Sequence, residues 1–228
     1  MTMLQNKNRI SIQVGLSGYS FKVQTGEGSF SSGWMTAERI FTTPEFQKRY
    51  SQVEISVFTP KITLVPEQFH SEDRGTSLLE PVSDLRPGDI VESVPVPEFG
   101  AVLVYSNQIG ETLSRVISET VLNEDGTKAK PLPEMYYMLK ALPELSDYNR
   151  ILASYSDGVL YLVIAQGKTL LLCNAYQAPD FTTAEYFIFL AMKKLQLNLE
   201  VSTISFRTPL GEEEEMSLYR YFKNVEQL

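Results

Sequence analysis

Arg9-Ile10-Ser11-Ile12-Gln13-Val14-Gly15-Leu16-Ser17-Gly18-Tyr19-Ser20-Phe21-Lys22-Val23 alternates apolar and polar residues through Ile10, Ile12, Val14 and Leu16, breaks at Ser17-Gly18, and then resumes. A period of two belongs to a strand with one buried face, and Gly at the break predicts a tight hairpin turn with positive φ. Asn149 to Ala165 repeats the pattern around Asp157-Gly158. Downstream, Thr42-Thr43-Pro44-Glu45-Phe46 has a counterpart in Thr182-Thr183-Ala184-Glu185-Tyr186. Ser17 to Asp157 and Thr42 to Thr182 are the same step of 140 residues, so two unrelated features share one offset and the chain contains an internal duplication.

Each Thr-Thr pair predicts a helix start, since Thr can cap free backbone N–H groups, Pro44 suits a first turn and Glu favours the positive end of the helix dipole. The second helix should run to about Leu195, with Tyr186, Phe187, Leu190, Ala191 and Leu195 as its apolar stripe, and the first should be about two turns shorter. A strand follows each helix, Val53 to Phe58 and Val201 to Phe206, and Ser32 to Ile40 and Thr169 to Ala175 supply the third strand of each hairpin sheet. The repeated unit is therefore β-β-β-α-β.

Material between the repeats has no evident counterpart. Lys61 to Phe69 reads as a strand and loop, and Gly75 to Glu98, rich in Pro and charge, as surface connection. Ala101 to Tyr105 reads as a buried strand, and Ile109, Leu113, Val116, Ile117 and Val121 predict a helix that ends at the loop Asn123 to Gly126. A further helix over Pro133 to Leu142 leads into the second repeat. The domain expectation is a first half over residues 1–145, with inserted strands and a loop, and a second half over 146–228.

Three antiparallel strands, a crossover helix and a returning strand form the ribonuclease-H-like arrangement, and two copies in one chain are the plan of the actin-like ATPases; this fixes fold class, α/β, and no function. The chain also resembles a Bacteroidetes family designated domain of unknown function 3822, whose fold is actin-like. The resemblance spans nearly the whole sequence and rests on Leu16 to Phe21, Ile62 to Phe69, Gly167 to Asn174 and Tyr219 to Val225. It implies a fold and brings no established reaction or partner.

Actin-like ATPases hold phosphates with two such hairpins, each carrying Asp-x-Gly at its turn, where small residues admit the phosphate and the Asp organises Mg²⁺ and water. Here Gly18 and Gly158 are kept, but Leu16 and Ser156 stand where the acids should be. The residues that this pattern marks for cofactor binding are Ser17, Gly18, Ser156, Asp157, Gly158 and, before a late helix, Gly211. Asp157-Gly158 is also a common two-residue hairpin turn that needs no ligand. Glu212 to Glu215 after Gly211 would repel a triphosphate and otherwise suit a helix N-terminus. No catalytic residue is identified, and ATP with Mg²⁺ is the one cofactor set left open.

Other chemistries lack parts. Two-metal nucleases need carboxylates on the first strand, which neither repeat supplies, and Glu45, Glu54, Glu185 and Glu200 read as cap or surface residues. His70 is the only histidine, so it reads as an exposed loop residue, and there is no Gly-x-Ser-x-Gly elbow. The lone Cys173 reads as a buried, inert thiol, and the lone Trp34 as core or interface packing. Met135, Tyr136, Tyr137 and Met138, and Tyr219, Tyr221 and Phe222, read chiefly as core, with a partner-facing role as the alternative.

A formal net charge of −8 argues against a nucleic-acid or anionic-membrane partner, since both need clustered Lys and Arg. The polar N-terminus and the lack of a run of about 20 apolar residues point to the cytoplasm. The functional expectation is a protein-interaction module with degenerate phosphate hairpins; the alternatives are a nucleotide-binding switch or slow ATPase, and an actin-like filament former.

Overall fold

A computed structural model describes residues 8–106 and 111–228. In chain order the elements are β1 (Arg9–Val14), β2 (Gly18–Thr25), β3 (Gly28–Ser31), β4 (Met35–Thr36), two 3₁₀ segments (Ala37–Thr42 and Pro44–Gln47), β5 (Gln52–Val57) and β6 (Ile62–Pro66). There follow α1 (Gly75–Leu79), β7 (Val91–Val96), β8 (Ala101–Ser106), α2 (Glu111–Thr120), β9 (Leu132–Pro133) and α3 (Glu134–Ala141). The chain closes with β10 (Asn149–Ser156), β11 (Val159–Gln166), β12 (Thr169–Gln177), α4 (Phe181–Lys194), β13 (Thr203–Phe206), α5 (Glu212–Tyr219) and β14 (Asn224–Gln227). Two compact units result: residues 8–58 with 111–133, and residues 59–106 with 134–228.

The sheet of the first unit runs β3-β2-β1-β5-β9, with β4 also paired to β2. β1 and β2 are antiparallel, with Val14 opposite Tyr19, and β1 and β5 are parallel. Ile10, Ile12 and Val14 from β1 join Tyr19, Phe21, Phe46, Ile55, Ile117 and Val121 in one buried cluster, which is the alternation read from the sequence. The larger sheet of the second unit runs β12-β11-β10-β13-β14, the same order strand for strand. Its core joins Ile151, Ala153, Leu160, Leu162 and Ile164 to Ile188 and Met192 of α4, Ile204 and Phe206 of β13, and Leu218 of α5. A three-stranded sheet, β6-β8-β7, belongs to the same unit, with a small cluster of Val65, Leu79 and Val104.

The matching strand orders carry the duplication further than the sequence pattern did. The connection α2–β9 returns to pair in parallel with β5, as α5–β14 returns to pair with β13, so each unit ends in a second helix-strand step. The stretch 111–133, which had no evident counterpart, therefore has one; Ile109, the first residue of the expected helical stripe, lies outside the described residues. Gly75 to Glu98 is likewise more than connection: it holds α1, and β7 pairs along its length with β8. Pro95 is tolerated in β7 because β7 is an edge strand and one side of its backbone needs no ladder donor.

The first crossover helix is absent as an α-helix. Only eight residues separate Thr43 from Gln52, too few for a stable α-helix opened by a proline, and they form a short 3₁₀ segment instead. Thr43 does not cap it: its hydroxyl bonds the Tyr19 hydroxyl at 2.8 Å and the Arg39 carbonyl at 2.8 Å. The expected strand Ser32 to Ile40 is broken into β4 and a 3₁₀ segment after Gly33, whose φ of 65° ends extended backbone. In the second unit the cap of α4 is Asp180, one residue ahead of Phe181; its carboxylate accepts the Thr183 N–H at 2.7 Å. The core stripe of α4 is Ala184, Glu185, Ile188, Ala191 and Met192, which turns Tyr186 outward and, contrary to the surface reading, buries Glu185.

Candidate functional site

The second hairpin is a tight one. Ser156 and Val159 face each other across Asp157 and Gly158, whose φ values of 52° and 73° are those of a turn with both central residues left-handed. The Gly158 carbonyl accepts the Ala178 N–H at 2.8 Å, which ties the turn to the segment before α4. The Ser156 hydroxyl donates to the Asp157 carboxylate at 3.3 Å.

Beneath this turn lies a buried polar cluster. Ser154 of β10 stands opposite Tyr161 of β11, and Arg207, just past β13, donates its N–H to the Ala153 carbonyl at 3.0 Å. Glu134, the first residue of α3, has no exposed surface. Its Oε1 accepts the Ser154 hydroxyl at 2.7 Å and lies 3.1 Å from Arg207 Nε, and the guanidinium sits 5.6 Å from the centre of the Tyr137 ring. Burial first, then the carboxylates of Glu134 and Asp157, hold the Tyr161 phenol well above its usual range, so it stays a neutral donor. The cluster clamps the first turn of α3 to the sheet. The sequence offered one sign of it: Glu134 opens a helix that continues with the apolar run Met135 to Leu139, and a buried acid needs a cation nearby.

The first hairpin is built differently. Its loop runs from Gly15 to Gly18, closed by the Gly15 N–H donating to the Gly18 carbonyl at 2.9 Å, with Leu16 63% exposed at the tip. Gly18 does not have the positive φ expected of it. It is needed for space: β4 crosses so closely that a Cβ on Gly18 would lie 2.0 Å from the Met35 carbonyl oxygen. Ser17 accepts the Trp34 indole N–H at 3.4 Å, and Trp34, 40% exposed, packs its ring 6.3 Å from that of Phe58 at the surface rather than in the core.

Gly211 precedes α5, and its N–H donates to Glu214 Oε2 at 2.8 Å. Glu212 to Glu215 occupy the first turn, as the sequence indicated. Among the marked residues, Ser156, Asp157 and Gly158 form one turn, Ser17 and Gly18 another, and Gly211 stands at a helix start. Among the described residues no three His, Cys, Asp or Glu side chains come together to hold a metal ion. A surface cavity of about 520 Å³ is lined by Pro66, Glu67, Gln68 and Gly100. His70 is half-buried rather than exposed, with its Nε2 enclosed. Cys173 is likewise half-buried rather than buried, and desolvation of its thiol pushes it up to about 12. Met135, Tyr137 and Met138 are core, whereas Tyr219 and Tyr221 are about half exposed.

These strand orders and hairpins meet a matching family: the profile described as "Protein of unknown function (DUF3822)" matches residues 3–225. The chain belongs to this family. Among solved structures it is similar to a Bacteroides thetaiotaomicron protein with actin-like ATPase fold and unknown function, at TM-score 0.66 and 16% identity over 100% of this chain and 94% of that one. It is also similar to the PilM–PilN type IV pilus biogenesis complex, at TM-score 0.50 and 13% identity over 98% of this chain and 88% of that one. The ethanolamine utilization protein EutJ from Carboxydothermus hydrogenoformans aligns at TM-score 0.41 and 9% identity, covering 99% and 86%. No curated protein matches the chain. The fold is the actin-like ATPase fold, built from two ribonuclease-H-like halves. No helix among the described residues is long and apolar enough to cross a membrane.

Proposed function

We propose that this actin-like protein works by binding another protein, with its two hairpins kept as framework and not as a phosphate site. The observation that carries the reading is at Gly18. The space left by its missing side chain, which in a phosphate hairpin would face a ligand, is filled by the Met35 carbonyl of the chain's own β4. Two others support it: Leu16 stands where an acid would organise Mg²⁺, and Asp157 is used by a left-handed turn position that favours Asp without any ligand. PilM, which shares the fold, is one half of a complex with PilN, so the fold is compatible with such a role.

Calorimetric titration of Mg-ATP and Mg-GTP into the purified protein tests the reading. It expects no saturable heat and no thermal stabilisation. Mg²⁺-dependent hydrolysis that disappears in Asp157→Ala would replace it with a nucleotide switch, and nucleotide-dependent sedimentation would replace it with a filament former.

A further inference from the structure

β12 (Thr169–Gln177) is the outer strand of its five-stranded sheet and, among the described residues, the longest strand. Because the Ala178 N–H donates to the Gly158 carbonyl at 2.8 Å, the even-numbered residues turn their backbone groups to β11, with Tyr176 opposite Leu160 and Asn174 opposite Leu162. Cys173, Ala175 and Gln177 therefore turn theirs outward, and among the described residues no hydrogen bond reaches those groups. Part of β6 comes near β12, but no ladder joins the two strands.

The other outer strands are blunted. β3 and β14 have four residues each, β9 has two, β7 carries Pro95 and β6 ends in Pro66. On β14 the Tyr219 hydroxyl also donates to the Val225 carbonyl at 3.0 Å. Shortness, Pro, charge and bulges close natural edges, because an open row of N–H and C=O groups is a template for another strand. β12 has no Pro and no charged residue, and its one bulge, at Leu171, leaves Leu172 to Gln177 in regular register.

An open edge states the chemistry of what covers it, since only extended backbone presents donors and acceptors at strand spacing. A second copy of β12 meets that demand. Without charges, two such strands laid antiparallel bring no like charges together, even in a chain of net charge −8. With a two-fold axis at Asn174, Cys173 faces Ala175 and both offer outward groups, Leu172 faces Tyr176, and the exposed Asn174 faces its own copy. An axis at Cys173 or Ala175 would set Asn174 against Leu172 or Tyr176, polar against apolar.

We propose that two copies of the chain pair through β12, antiparallel about a two-fold axis at Asn174, joining their five-stranded sheets into one. This interface is separate from the binding of another protein and does not depend on it. Sedimentation velocity of the full chain over a concentration series should show a monomer–dimer equilibrium that Mg-ATP leaves unaltered. Asn174→Lys and Asn174→Asp each put like charges on the axis and should weaken the dimer about tenfold or more, whereas an equimolar mixture of the two should restore it. Asn174 is exposed, so both variants should keep the urea midpoint of the parent. Under mild oxidation Cys173→Ser/Asn174→Cys should form a disulfide-linked dimer, since the Cα atoms of directly opposed residues in a pair without mutual hydrogen bonds lie about 4.5 Å apart, within disulfide reach. Cys173→Ser/Thr169→Cys, exposed but far from the axis, should not.

A monomer at every concentration overturns the proposal, and uptake of an alternating Val-Thr peptide by that monomer would give the edge to a different protein. A dimer that survives Asn174→Lys, fails to reform from the mixed variants, or crosslinks equally through Thr169→Cys also overturns it. Assembly seen only with Mg-ATP would belong to a filament and not to β12.

Discussion

A methyl group on Gly18 would have to displace the Met35 carbonyl, which is backbone in a paired strand and cannot swing aside. Gly18→Ala should therefore destabilise the protein by about 3 kcal/mol, read as a lower urea midpoint at unchanged slope. An unaltered midpoint would mean that β4 can move off β2, and the filled-hairpin argument would fall with it. The Glu134–Arg207 pair makes a different residue-scale case. With Glu134 fully buried, removing either partner strands the other, so Glu134→Ala and Arg207→Ala should each cost about 3 to 5 kcal/mol. Replacing both by Met should cost less than the sum of the two. Strictly additive losses would show that Ser154 and Tyr137, rather than the ion pair, hold α3 in place.

Among the elements, α4 depends on its cap and the β6–β8–β7 sheet on one carboxylate. Hydrogen bonds from the backbone and then the side chain of Thr183 hold the Asp180 carboxyl below its usual range, and the Lys61 ammonium, then the Arg86 N–H, does the same for Asp89. A carboxyl depressed in the folded state stabilises above its unfolded pKa, about 3.9, and that contribution is lost as pH falls through the folded value. The melting temperature should drop as pH is lowered below about 4, and Asp180→Ala and Asp89→Asn should each lower it at pH 7 while flattening the acid slope. Identical slopes in all three proteins would refute the assignment. What the sequence revealed at this scale depended on range. Asp157-Gly158 was legible because a two-residue turn is decided by its own φ preferences, and α3 because its apolar periodicity is local. The role of Gly18 was not, because it depends on a carbonyl from another strand, and β9 was not, because two residues show no period. Glu134 could be noticed as out of place but not paired, since Arg207 comes from the far end of the same unit.

At the scale of the molecule, one strand order is built twice with unequal material. In the second unit, β11 is buried from Val159 to Ala165 between two paired neighbours, and a fourteen-residue α4 covers its sheet. In the first unit, the corresponding sheet ends in a four-residue exposed β3, and its crossover is only 3₁₀ turns. Backbone hydrogen bonds under a complete helical cover open only by large unfolding, whereas those beneath short 3₁₀ turns open locally. In native-state hydrogen exchange, the amides of β10 and β11 should therefore be the slowest in the chain, and those of β3 and the 3₁₀ segments among the fastest described. Added Mg-ATP should change neither set if the hairpins are framework. Protection that rises at both the 15–18 and 156–158 turns on adding nucleotide would mean that the two halves still share a ligand. The duplication would then be functional and not only architectural.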